Sequence, residues 1–300
     1  MGTINTAALE KGLKMEFAKN YAAMLSGALS YRADVQRVYT DTDSKSASEK
    51  YFFLKDYPAV REWLGPKEFA ALTDADYTIT NKDWETSISV YKNEIEDDQY
   101  GAIKQRVALM PRVLIDHKAD LLVSLLEDGT TDLAYDAAAF FASRAAPNDN
   151  LLAGTGVTAA LLQADLGTVR TAMRLFESDN NKKFGLTPDT VIVPAALETA
   201  MYEAVFSLSD VDGKEKANPQ NKWIESILVL PELDGSDADS WYAACTKFPL
   251  RPFIFQTREK PTPYLLDHDV HVNKQLYFTA EGRYNAGYGM FQTCIKVVNT

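Results

Sequence analysis

The side chains able to do chemistry in this chain are few and scattered. It carries three histidines, His117, His268 and His271, and two cysteines, Cys245 and Cys294. The densest set of potential metal ligands is Asp267-His268-Asp269-Val270-His271. Carboxylates and imidazoles in such a run suit a divalent metal. On a strand, however, Asp267, Asp269 and His271 face one way and His268 the other. No distant Cys/His cluster is present to complete the ligand set, so a solvated strand edge or turn explains the segment better. His117 falls near the apolar face of a helical run, where a half-buried or interface histidine is the ordinary outcome. The acidic run Glu94-Ile95-Glu96-Asp97-Asp98 lacks the glycine-centred spacing of a calcium loop. Gly154-Thr155-Gly156 is too short for a dinucleotide fingerprint, and neither a P-loop nor a Gly-x-Ser-x-Gly elbow occurs. These residues supply no catalytic group, no cofactor-binding set and no metal site, and the chain is not expected to be an enzyme.

The elements that would have to position a site carry a different message. The chain has 300 residues, a mass of 33.4 kDa and 46% hydrophobic residues, enough to bury a real core. Its formal net charge is -11, from 31 basic and 42 acidic residues. Charge of that sign does not coat a protein with nucleic acid, although it allows the protein to sit beside nucleic acid without sticking to it. The two cysteines form neither a metal spacing nor a disulfide framework and fit a reducing compartment. No segment has the build of a signal peptide, and no apolar run is long enough to span a bilayer. The opening Met-Gly-Thr-Ile-Asn-Thr fits the short, common myristoylation pattern, which carries little weight alone.

Residues Ala7 to Leu29 have helical spacing, with Leu9, Leu13, Phe17, Tyr21 and Leu25 on one stripe. The polar run from Thr40 to Lys50 shows no period and reads as a flexible connector. Tyr51 opens an extended region, in which Arg61-Glu62-Trp63-Leu64-Gly65-Pro66 places a large aromatic beside a turn. Tyr77 and Ile79, then Trp84, Thr86, Ile88 and Val90, alternate with period two around Asn81-Lys82-Asp83, which predicts a β-hairpin. A long helix is expected from Asp97 to Asp128, kinked at Pro111 and stopped at Gly129. Its apolar face is read as Ile103, Val107, Met110, Leu114, Leu121 and Leu125. A short aromatic strand at Phe140-Phe141, a helix from Thr158 to Glu177, a strand from Thr190 to Val193 and a helix from Ala195 to Phe206 follow. Strands are expected at Ile224 to Leu230, Trp241 to Cys245 and Pro252 to Thr257. The stretch from about Gly156 to Arg258 thus reads as one α/β unit, and Val270 to Val298 as β-rich, able to pair with the hairpin before the long helix.

Several of these blocks resemble one family. REWLG (Arg61 to Gly65), YTITNKDWETSISV, EIEDDQYG (Glu94 to Gly101), DTVIVPAALETA (Asp189 to Ala200), ESILVLPEL (Glu225 to Leu233) and RPFIFQTREKP (Arg251 to Pro261) look like the major head subunit of Mu-like phages and prophages. The blocks keep the family's order and cover most of the chain after residue 50. The segment YDAAAFFASRAAP departs from the FFDTDHP-like residues that members often carry after the long helix. The resemblance implies an α+β architecture similar to the Hong Kong 97 phage capsid fold. It implies an N-terminal arm at 1–50, an extended loop at 51–95, a peripheral domain with a spine helix at 96–155, an axial domain at 156–258 and returning peripheral strands at 259–300. It also implies a structural shell protein of the virion, built into hexamers and pentamers in the bacterial host cytoplasm. The shell would enclose DNA without sequence-specific binding and would involve no membrane. Scaffolding protein, maturation protease, portal and head-completion proteins would be its partners, and no cofactor is implied. The chain begins directly at the arm, so a separate scaffold or a removed leader is expected. No covalent cross-link is assigned. Arg61, Trp63 and Trp84 are the candidate inter-subunit contacts. A cellular nanocompartment shell of the same fold, or a metal-dependent enzyme using Asp267, Asp269 and His271, are the alternative readings.

Overall fold

The structure is a computed structural model that describes residues 6–25, 33–54, 74–91, 100–178, 181–207, 218–266 and 275–299. Its frame is a long helix, α2 (Tyr100–Asp128), of 29 residues. At 1.5 Å per residue it spans about 43 Å. Pro111 lies inside it, buried, as a residue that lacks one backbone donor but continues the helix. The N-terminal half turns Val107, Met110 and Leu114 toward α1 (Thr6–Leu25) and two strands. The C-terminal half buries Ala119, Leu122, Val123 and Leu126 in a second core. The buried face therefore moves round the helix along its length. For this reason Leu121 and Leu125, expected in the core from a constant stripe, sit half-buried at its rim. Phe17 of α1 is buried with Tyr21 stacked on it at 5.8 Å. The side chains of Leu9, Leu13, Leu25 and Ile103 lie outside the described set.

Among the described residues, three sheets attach to this frame. A four-stranded sheet has the order β1 (Tyr39–Asp43), β9 (Phe253–Leu266), β10 (Gln275–Tyr288), β4 (Lys82–Tyr91). A five-stranded sheet runs β5 (Leu151–Ala153), β11 (Cys294–Val298), β8 (Ser240–Ala244), β6 (Thr190–Val193), β7 (Ser226–Val229). A pair, β2 (Ser48–Leu54) with β3 (Asp74–Thr80), makes the third.

The five-stranded sheet is covered on both faces. Tyr242, Ala244, Ile192 and Cys294 point to the spine-helix core, while Trp241, Ala243, Cys245, Val191 and Val193 point to α3 (Ala159–Leu175) and α4 (Glu198–Phe206). Strands buried on both sides read as unbroken apolar runs. Cys245 and Cys294 consequently lie on opposite faces, and both are free, buried thiols.

The sequence expectations need correction at four places. The polar run after Thr40 is not a loose connector: β1 pairs in parallel with β9 from Tyr39↔Phe253 to Asp43↔Thr257, and β2 starts at Ser48. Between them Glu49 accepts hydrogen bonds from Ser44 Oγ and the Lys45 and Ser46 amides, which lower its pKa. Main-chain pairing holds these residues without an apolar face, so no period was there to read.

The expected hairpin is not one. β3 pairs with β2, and β4 pairs with β10 from Lys82↔Tyr284 to Tyr91↔Gln275. Asn81 forms the corner. It is buried, donates to Ser44 Oγ and the Ser46 carbonyl at 2.9 Å each, and accepts from Gln256 Nε2 at 2.7 Å. The pairing of β4 with the β-rich tail is as expected.

Phe140 and Phe141 are buried but belong to a turn, with the Phe141 amide bonded to the Gly129 carbonyl at 2.7 Å. The last strand, β11, does not return to the sheet of β9 and β10. It pairs with β8 and β5 and completes the five-stranded sheet.

Candidate functional site: the junctions that set the subunit's limbs

Where the extended region leaves the body, three rings lock β4, α2 and β10 together. Trp84 donates its Nε1–H to the Tyr284 carbonyl at 2.9 Å. Its ring meets His117 edge-on, with centroids 4.2 Å apart, and lies over Tyr284 at 6.2 Å. His117 Nδ1 is 3.0 Å from the Tyr284 hydroxyl. Burial lowers the His117 pKa, against the smaller opposing pull of Asp120. Trp84 is only half-buried, yet its indole has partners inside its own subunit. The other two sequence candidates, Arg61 and Trp63, lie outside the described residues.

The segment that follows the first helix is fastened beside this point. Lys118 of α2 pairs with Asp41 of β1 at 2.7 Å and sits 4.1 Å over the Phe255 ring. Burial lowers the lysine's pKa, and the Asp41 carboxylate opposes that shift. Arg251 donates to the carbonyls of Gln36 and Tyr39 at 3.0 and 2.7 Å. A cleft of about 360 Å³ between α1, β1, α2 and β9 includes Tyr21, Asp41, Leu114, Lys118 and Phe255 in its wall. Lys118 and Asp41 already neutralise each other there, which suits a packing seam better than a reactive pocket.

A second junction ties the five-stranded sheet to the spine helix. Lys296 of β11 is buried and pairs with Asp237 at 2.7 Å. Asp237 also accepts from the Tyr242 hydroxyl, and Ser236 donates to Glu127 of α2. Tyr288 donates to the Leu125 carbonyl at 3.0 Å. A buried lysine without its carboxylate would carry a large desolvation cost, so this pair fixes the loop before β8 against β11, and Ser236 of the same loop reaches Glu127 on the helix.

A third junction lies in YDAAAFFASRAAP. Arg144 binds Asp136 at 2.9 and 3.2 Å and the Asn150 side chain at 2.6 Å, with its guanidinium 3.7 Å over Phe291. Asn150 is fully buried and donates to the Phe140 carbonyl at 2.8 Å. Nothing in the sequence pairs Arg144 with Asp136, or Lys296 with Asp237. The one available signal is a charged residue set among apolar neighbours, as Lys296 is in CIKVV.

Among the described residues no three His, Cys, Asp or Glu side chains gather as metal ligands. Asp267, His268, Asp269 and His271, and the run from Glu94 to Asp98, lie outside the described residues. Among the described helices none is long and apolar enough to cross a membrane.

A long helix thus carries α1 on one half and the α/β unit on the other, with β4 and β10 fastened to it at His117. The whole arrangement is similar to a chain of the procapsid of bacteriophage JBD30, with a TM-score of 0.54, 22% identity, and coverage of 97% of this chain and 75% of that one. It is also similar to the virus-like particle from Pyrococcus furiosus, with a TM-score of 0.59 at 10% identity over 96% of this chain and 98% of that one. At these identities the likeness shows the fold, which is that of the Hong Kong 97 capsids. The sequence narrows the class further. The family model for the Mu-like prophage major head subunit gpT matches residues 7–151 and 229–300. The chain belongs to that family, whose members are structural head proteins. Its relative, the Mu-like prophage FluMu major head subunit of Haemophilus influenzae, is 23% identical over 291 residues, covering 96% of this chain and 72% of that protein.

Proposed function

We propose that many copies of this chain close into an icosahedral head of hexamers and pentamers around double-stranded DNA. The observation that carries the reading is the spine helix, which fastens an arm, an extended region and an α/β unit through separate cores and ion pairs. Rigid limbs on one frame make several weak contacts that a closed lattice multiplies. In this reading 1–50 is the arm, 51–95 the loop, 96–155 with the returning strands of 259–300 the peripheral domain, and 156–258 the axial domain. The pairing of β11 adds the last residues of the chain to the axial unit. The net charge of -11 suits an inner wall that encloses packed DNA without gripping it. Assembly takes place in the host cytoplasm with a scaffolding protein and a maturation protease, and portal and head-completion proteins finish the particle. The nanocompartment reading has the shared fold behind it but lacks the family match, and a metal-dependent enzyme has neither.

Arg61 and Trp63 are proposed as loop contacts to a neighbouring copy, with Trp63 as the aromatic anchor. Trp84, whose indole faces His117 and Tyr284, braces the root of that loop and reaches a neighbour only by its exposed edge. Trp63→Ala tests the loop role. The variant should remain folded, with an unchanged unfolding midpoint, and give few shells by sedimentation and negative-stain electron microscopy. A normal yield of shells removes Trp63 from the interface.

A further inference from the structure

The pair β2–β3 forms a sheet of its own, yet it meets the body at a closely defined joint. Only Asn81 separates β3 from β4, which belongs to the four-stranded sheet. The chain therefore changes sheets within one residue. A slip of one residue there would turn every side chain of β3 to its other face. Ile79 would then leave its seat beside Ile254 and Met290. That seat is tight: a Cβ on Gly287 would stand 2.7 Å from Ile79, so at this point no side chain separates β3 from β10.

Around the apolar seat runs a set of uncharged hydrogen bonds that cross from β2–β3 to the body. Gln256 of β9 is fully buried, donates to Asn81 Oδ1 at 2.7 Å and to the Ile79 carbonyl at 3.4 Å, and accepts from the Tyr51 hydroxyl of β2 at 2.9 Å. Asn81 gives its side-chain protons to Ser44 Oγ and the Ser46 carbonyl, and its amide proton to the Ala47 carbonyl. Asn285 of β10 donates to the Thr80 carbonyl at 2.8 Å. Apolar contact has no direction of its own, so it alone lets a ribbon tilt or slide. Hydrogen bonds weaken steeply off their angle, and a fully satisfied buried network specifies one arrangement.

We propose that Asn81 and Gln256 are positioning residues for assembly: their network fixes the angle at which β2–β3 leaves the body, and through it the curvature of the shell. The inference rests on the shell reading above. Arg61 and Trp63, the proposed loop contacts, lie in sequence between β2 and β3, so this angle decides where they meet a neighbour. The rotation between identical copies determines whether a ring closes.

Spin labels at Asp76→Cys on β3 and Ser124→Cys on α2 report the angle, because Asp76 lies about 17 Å along β3 from Asn81. Cys245 and Cys294 are buried and stay unlabelled. Asn81→Ala cuts the joint at the corner, and Gln256→Met cuts it from the body while keeping side-chain volume. In the folded variants the label–label distance should spread by about 6 Å, the sweep of a tilt of about 20° over that length. Their shells should be of mixed diameter or open by electron microscopy. A merely stabilising role would lower the urea midpoint and leave the distances in the folded molecules as narrow as the parent's; that result, in Gln256→Met alone if Asn81→Ala does not fold, overturns the proposal. A wide spread with shells as uniform as the parent's overturns the link to curvature. A parent protein that makes no shells in any tested salt, with or without a co-expressed scaffold, overturns the shell reading, while the distances still decide the joint.

Discussion

The side chains with the greatest consequence here are charged or aromatic groups that join elements. His117 is the most instructive. Its pKa is lowered in the folded protein, chiefly by burial against Trp84 and Tyr284. The unfolded chain, with an ordinary imidazole pKa of about 6.5, therefore takes up the proton first as pH falls. His117 contributes no penalty at pH 8, and its contribution to stability is lost as pH drops from about 6.5 through the lower folded value. Denaturant unfolding at pH 7.5 and pH 5 should show a loss for the parent that shrinks in His117→Gln. Equal losses in both proteins would remove this histidine from the account. Its placement in a helix near an apolar face was legible from the sequence. Its partners were not, because Trp84 and Tyr284 lie in strands whose pairing depends on the whole fold.

At the scale of elements, local pattern succeeded where one face or one boundary decides the structure. Thr190–Val193 is a strand with the bounds its composition suggests, and α2 ends at Asp128 as expected. Glycine just past that stop has a packing reason. A Cβ on Gly129 would come within 2.6 Å of the Phe141 ring and 2.9 Å of the Leu125 carbonyl, so close approach is what demands glycine. Gly129→Ala should destabilise the subunit by about 1–3 kcal/mol, the usual range for overpacking a filled core. An unchanged urea midpoint would contradict this. Pattern failed where pairing is non-local. Strands β3 and β4 adjoin in sequence with good alternation, yet Asn81 turns them into different sheets. The polar strand β1 offered no apolar period. Strand β11 joins a sheet whose first strand, β5, lies far back in the chain, a choice set by packing of Ile295 and Val297 in the α/β core.

For the molecule as a whole, the Hong Kong 97 fold and the Mu-like head family rest on agreement between sequence blocks, topology and relatives. Among the described residues α1 packs on the N-terminal half of α2, Trp84 ties β4 to β10 beside His117, and the five-stranded sheet packs on the C-terminal half of α2. The charged pairs were not legible: Lys118 with Asp41 and Lys296 with Asp237 join distant elements, and Arg144 with Asp136 meet within a loop that has no period to read. Fixed angles between limbs are what a lattice of identical copies requires. Electron microscopy of the purified full chain, with and without a co-expressed scaffold, tests that requirement most directly. Closed shells built of hexamers and pentamers are the predicted result. A protein that stays monomeric at every concentration and salt tested, scaffold included, would contradict the account.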